Sequence, residues 1–254
     1  MTEQLIDHTP GLPVSLRTLS SSDAPGLIAV MRKSWYEQSG SLVGSSEGYI
    51  PPELIDATFP ESPGSKRLNK SARDIARQND PEDELMHKYI GAFASVFMEG
   101  DDKIVYGQKL VGFVKTGRPA ADKKTYSGAE PVFHCIRRKL CGRINVKVKT
   151  KLEDPRLSEI LELRVDSDYQ GKGIGWGLLK SAVENLPEDA IETVRAFTGK
   201  DTRGFFRRCG LIDIVPTETR MYPNSEASLG EPGQIMYGMS ARRDELLDKL
   251  SGRQ

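Results

Sequence analysis

Residues 160–177 read ILELRVDSDYQGKGIGWG: an alternating apolar stretch, a polar turn, then glycines at 171, 173, 175 and 177. After the glycines the apolar period changes. Ile174, Leu178, Leu179, Ala182 and Val183 recur at helical spacing, and Pro187 ends the run. A strand that feeds a helix through a glycine-rich turn commits the chain to a mixed α/β architecture. It also carries backbone N–H groups 171 to 176 to a helix N-terminus, where those donors and the helix dipole favour a doubly charged anion. Glycine at 173 and 175 lets a phosphate approach the backbone, and a side chain there would hold it off.

Three phosphate-binding patterns can be tested against these residues. A Walker A loop fails, because Gly171-Lys172 is followed by Gly173 instead of Ser or Thr. The dinucleotide fingerprint GxGxxG fails in both registers, since Trp176 and Leu178 occupy the third glycine position. The pattern Gln/Arg-x-x-Gly-x-Gly/Ala is met by Gln170, Gly173 and Gly175, directly after the strand ending Leu163-Arg164-Val165.

The stretch LRVDSDYQGKGIGWGLL, extended by the later FFRRCGL, resembles the acyl-CoA site of the GNAT acyltransferase superfamily. That resemblance implies a single domain over 1–254 with a central mixed, largely antiparallel sheet, splayed at the acyl-CoA site and flanked by helices. It implies acetyl-CoA as co-substrate. The loop Gln170, Gly171, Lys172, Gly173, Ile174, Gly175 and Trp176 would hold the pyrophosphate. A bulge and splay in the preceding strand would free the backbone of Leu163, Arg164 and Val165 for the pantetheine amides. Lys172 reads equally as a solvated loop charge.

Only a neutral amine attacks a thioester, so a base is needed. The family often places a glutamate at the start of this strand, which is Glu159, with Glu162 close by. The two differ in parity, so Glu159 is expected on a face with Leu161 and Leu163, and Glu162 on a face with Ile160 and Arg164. Glu159 is the preferred base; Glu162 fits an ion pair to Arg164 or Arg195, and a water chain could replace a direct carboxylate. Family members often carry a tyrosine four residues before the glycine of the late helix, to protonate the leaving thiolate. Gly210 sets that register here, and the position is Phe206, which has no proton to give. The resemblance therefore implies acetyl transfer to a primary amine of a small molecule. A protein or peptide acceptor is the alternative, as is a CoA-binding protein without transfer.

Composition excludes other classes. Lys plus Arg and Asp plus Glu each number 36, so the formal net charge is zero and a general nucleic-acid binder is not expected. The three cysteines, Cys135, Cys141 and Cys209, form no CxxC pair and no disulfide framework, and Cys209 reads as a small buried hydrophobe. No secretory pattern opens MTEQLIDHTPGLP and no run of 18 apolar residues occurs, so a cytoplasmic protein without a membrane span is expected, as a monomer or homodimer. His87 and His134 lack metal-ligand partners at helix or turn spacing, and no metal is expected.

Along the rest of the chain, residues 1–12 read as a loose tail and Val14 to Leu19 as a strand. A helix capped by Ser22 or Asp23 follows, with Leu27, Ile28, Met31 and Trp35 on one face. The Gly-, Ser- and Pro-rich 39–71 reads as irregular, apart from a short helix at 52–58. A helix is expected from Pro81 through Leu85, Met86, Tyr89, Ile90 and Phe93. Strands at 104–106 and 110–115 would turn at Gly107-Gln108, and 117–157 reads as an insertion with a possible strand at 146–149. Strands are expected at 191–198, 211–215 and 235–240. A helix over Phe205 and Phe206 would be closed by Gly210 in the left-handed conformation. Trp35, Tyr36 and Tyr49 lie where the family's acceptor pocket forms, although Trp35 suits the core. The basic runs Lys66-Arg67 and Arg137-Arg138-Lys139 read as solvated surface or as partners for the CoA 3′-phosphate.

Overall fold

The structure is a computed structural model that describes residues 4–6, 14–41, 66–80, 86–100, 103–119, 154–188, 190–214, 219–222 and 234–252. The strands are β1 (Gln4–Ile6), β2 (Val14–Thr18), β3 (Lys88–Gly100), β4 (Lys103–Gly117), β5 (Leu157–Val165), β6 (Thr193–Thr198), β7 (Ile212–Asp213), β8 (Thr219–Tyr222) and β9 (Gln234–Arg242). The helices are α1 (Ala24–Ser41), α2 (Lys66–Ala76), α3 (Ile174–Glu184), α4 (Lys200–Cys209) and α5 (Arg243–Ser251). The strands form one sheet in the order β1-β2-β3-β4-β5-β6-β9-β7, with β8 also paired to β9. Among the described strands only β5 and β6 run parallel, joined by the crossover through α3. The expected mixed, largely antiparallel sheet flanked by helices is what forms.

Two cores lie on the two faces of this sheet. On one, residues of α3, α4 and α5 pack with Ile90, Ala92, Val111, Val114, Ile160, Val194 and Met239. On the other, Leu27 and Val30 of α1 and Ile75 of α2 pack with Tyr89, Phe93, Leu110 and Phe113. A sheet sandwiched this way makes its central strands apolar on both sides, and their alternation is lost.

That loss explains the main departures. The segment expected as a helix through Tyr89, Ile90 and Phe93 is the long strand β3. Tyr89 and Phe93 serve one core and Ile90 and Ala92 the other, so apolar residues at 89, 90 and 93 imitate a helical stripe. Gly107 and Gln108 do not turn the chain; they pair with Val96 and Ser95 within the β3–β4 ladder. Helix α2 begins within the segment expected to be irregular and runs past its end. Its buried contribution is Ile75 with Ala72 beside it, too narrow a stripe to stand out among polar neighbours. Helix α5 was not expected at all, and buries Leu246 and Leu250. Three residues of the expected loose tail pair with β2. A 3₁₀ turn, Ser21–Asp23, precedes α1, with the Asp23 carboxylate accepting from the Ser20 N–H at 2.7 Å. Helix α4 ends as expected, at Gly210 with φ +115°. The expected elements at 52–58 and 146–149 lie outside the described residues.

Candidate active site

The site is built where β5 leaves its parallel neighbour. Pairing of β5 with β6 runs from Leu157↔Thr193 to Ile160↔Ala196 and stops there, although both strands continue. On its other side β5 stays bonded to β4 up to Gly112↔Val165. The result is a slot in the sheet, bounded by the free edge of residues 161–165 of β5. This is the expected splay at Leu163, Arg164 and Val165.

The expected bulge is present too, and it changes the parity of the strand. Lys115 pairs with Glu162 and Thr116 with Ile160, so Leu161 is an extra residue with no opposite number, and it is exposed. Ile160, Leu163 and Val165 therefore all face the α3 core. Glu159 and Glu162, expected on opposite faces, lie on the same face, that of α1 and α2, opposite Gly117 and Lys115.

The two glutamates have different surroundings. Glu159 is 3% exposed, and its Oε2 accepts from Nη2 of the buried Arg195 at 2.9 Å and from Nε at 3.3 Å. Arg195 also lies over the Phe197 ring, 5.1 Å from its centroid. This is the ion pair of a strand junction, just before the slot opens. Glu162 is half-buried, beside the slot, and accepts from Arg164 Nε at 3.3 Å. Of the two expected bases, Glu162 is the carboxylate that solvent reaches.

After Val165 the chain enters a 3₁₀ turn, Ser167–Tyr169, and then the glycine loop. Gln170 Nε2 donates to the Val165 carbonyl at 3.0 Å, fastening the loop to the end of β5. Gly171 and Gly173 have φ of +75° and +78°, and a Cβ at either would meet nothing within 4 Å. The space above them is open. Glycine serves there for its left-handed backbone and its low profile, not for internal packing. Gly173 is the N-cap of α3 and offers no capping side chain. The first turn closes only at Gly177, whose N–H donates to the Gly173 carbonyl at 3.0 Å. The N–H groups ahead of it, from Ile174 on, have no acceptor one turn back in the helix. Together these features form an anion cradle.

Other side chains depart from expectation. A Cβ at Gly175 would touch the Phe205 ring at 3.5 Å and Val165 Cγ2 at 3.7 Å, so Phe205 is the ring that α4 presents to loop and slot. Phe206, expected there, is 7% exposed within the α3 core, edge-on to Phe205 at 5.2 Å. Trp176 turns its indole away and donates to the Leu250 carbonyl at 3.1 Å, so its side chain anchors α5. Lys172 sets its ammonium over the Tyr169 ring, 5.1 Å from the centroid, and Lys109 approaches the same ring at 5.8 Å. Cys209 is buried, as expected. The side chains of Trp35, Tyr36, Lys66 and Arg67, and all of Tyr49, His134 and 137–139, lie outside the described residues.

One contact was not foreseen from sequence. Lys33 of α1 bonds Asp166 at 2.5 Å and Asp168 at 2.6 Å, fastening α1 to the turn that carries the loop. Desolvation alone would lower the Lys33 pKa, but its bonds to the two carboxylates raise it well above the ordinary value. The bond from Lys33 holds Asp168 below the usual carboxylate range. Nothing in the sequence spacing links positions 33 and 166; only the layered fold brings them together. Among the described residues no three His, Cys, Asp or Glu side chains gather as a metal site would need. No helix among them is long and apolar enough to cross a membrane.

The arrangement resembles solved acetyltransferases. A PaiA N-acetyltransferase from Thermoplasma acidophilum, in complex with coenzyme A, is 18% identical with a TM-score of 0.50, over 90% of this chain and 98% of that one. A GNAT-family acetyltransferase from Streptococcus pneumoniae is 12% identical with a TM-score of 0.50, over 90% of this chain and 99% of that one. At these identities the likeness is one of fold. A comparison with curated proteins gave no match. The sequence pattern of the Acetyltransferase (GNAT) family matches residues 76–211, more than half of the 254, and the chain belongs to that family.

Proposed function

We propose that the protein transfers an acetyl group from acetyl-CoA to a primary amine of a small molecule by direct attack. The observation that carries this reading is the open space over Gly171 and Gly173, at the N-terminus of α3 and beside the slot between β5 and β6. In this reading the backbone at 171–176 takes the pyrophosphate, and the free edge of Leu163, Arg164 and Val165 pairs with the pantetheine amides as a missing strand would. The coenzyme A bound to the Thermoplasma acidophilum protein supports the choice of donor. The amine nitrogen forms a bond to the thioester carbonyl carbon, the C–S bond breaks, and the sulfur leaves as the CoA thiolate. Glu162 takes the amine proton, directly or through water. The reaction takes place in the cytoplasm, in a monomer or homodimer.

A second reading is coenzyme A binding without transfer, and one observation favours it. Neither Phe205 nor Phe206 has a hydroxyl with which to protonate a thiolate. An amine panel read by thiol released from acetyl-CoA separates the two. Release with any amine supports transfer, whereas binding of coenzyme A with no release across the panel sinks it.

A further inference from the structure

We propose that the acceptor is an amine that also carries a carboxylate, of the amino-acid class. This rests on the acetyl-transfer reading above and concerns the face of the slot turned toward α1 and α2. The bulge at Leu161 sets Glu159 and Glu162 together on that face, with Lys115 directly opposite Glu162. Arg195 meets Glu159 there at 2.9 Å, and Arg164 meets Glu162 at 3.3 Å. Each of these two carboxylates thus bonds an arginine. Lys115 is left over: its ammonium lies 5.1 Å from the centroid of the Tyr89 ring and forms no ion pair with the described residues. Of these described side chains three are cations (Lys115, Arg164, Arg195) and two are carboxylates (Glu159, Glu162), an excess of one positive charge among the five.

Among these described side chains a polyamine would meet no carboxylate without a cation beside it. A carboxylate would find Lys115 together with the remaining donors of the Arg164 fork, only one of which is engaged by Glu162. Docked so, the acceptor turns its amino group toward Glu162 and the slot. The same cations favour the neutral amine over the ammonium, and the neutral form is the one that attacks. One charge arrangement therefore selects the acceptor and readies its nitrogen.

The test compares amino acids with their own decarboxylated amines, such as phenylalanine with phenethylamine and ornithine with putrescine, by thiol release from acetyl-CoA. The expected kcat/KM ratio favours the amino acid by at least about tenfold in the wild type. Lys115→Met should lower that ratio by about tenfold, and Lys115→Glu should invert it toward the diamine. The ratio is taken within each variant, so a partial loss of folded protein cancels. Equal or better use of the decarboxylated amines by the wild type would overturn the inference while leaving acetyl transfer intact. So would a ratio unmoved by Lys115→Glu. Turnover of no amine at all, with coenzyme A still bound, would overturn the transfer reading and the inference with it.

Discussion

Phe205 and Phe206 are adjacent rings, and a hydroxyl added to each should have opposite consequences. Phe206 sits in the α3 core, so Phe206→Tyr buries an oxygen among apolar side chains at a cost of about 1–3 kcal/mol, read as a lower denaturation midpoint. Phe205→Tyr sets the hydroxyl beside Gly175 and the slot, where it can protonate the leaving sulfur; turnover should rise several-fold, and fall back above about pH 10. The glutamates separate in the same way. Glu162→Gln should lower kcat/KM by about 10²-fold at neutral pH, a loss that shrinks as pH nears the amine pKa. Glu159→Gln should instead act on stability, by about 3–5 kcal/mol, because it takes a charged partner from the buried Arg195. A loss of activity confined to Glu159→Gln, with stability unchanged, would reverse the two roles. The identity of these residues was legible in the sequence, but their assignment was not. Parity counted along the chain cannot see the extra residue at Leu161, and helical spacing alone does not say which of two neighbouring phenylalanines is the more deeply buried.

The elements divide along the same line. Strand β5, the glycine loop, α3, β6 and α4 were readable because each carries its own local signal: alternation, left-handed glycines, a helical stripe, a closing Gly210. Strand β3 was not, since burial on both faces erases its period, and α2 and α5 show too few apolar positions. For the loop, Gly173→Val should raise the Kd for coenzyme A at least about tenfold, with the circular dichroism of the fold retained. The open space means that the substituent strains its own backbone and blocks a ligand without displacing a neighbour. The Lys33 clamp gives α1 and the loop a shared dependence on pH. Asp168 has its pKa lowered from 3.8, so its contribution is present above that value and is lost as pH falls through the lower folded one. Lys33 has its pKa raised from 10.5, so its contribution is present below that value and is lost as pH rises through the higher one. The difference in Tm between wild type and Lys33→Met should therefore hold steady from about pH 5 to 9 and narrow in acid. A difference that instead grew in acid would mean that Asp168 takes no part in the clamp.

At the scale of the whole molecule, layers on both faces of the sheet leave the slot between β5 and β6 as the place where a ligand can join the fold itself. Coenzyme A at about 100 times its Kd should stabilise the protein by about 2.7 kcal/mol, read as a rise in Tm, and ATP should do much less. A larger rise with ATP would contradict the assignment of the loop. The slot also has a consequence for exchange with solvent. A sheet with an internal edge has backbone amides that are central in position but peripheral in protection: the N–H groups of residues 161–165 directed at β6 have no ladder partner on that strand. They should trade hydrogen for deuterium far faster than their neighbours directed at β4, and fall silent when the cofactor's amide groups complete the row. On this proposal the ligand would act as a removable strand, completing on one side a ladder that β4 already completes on the other.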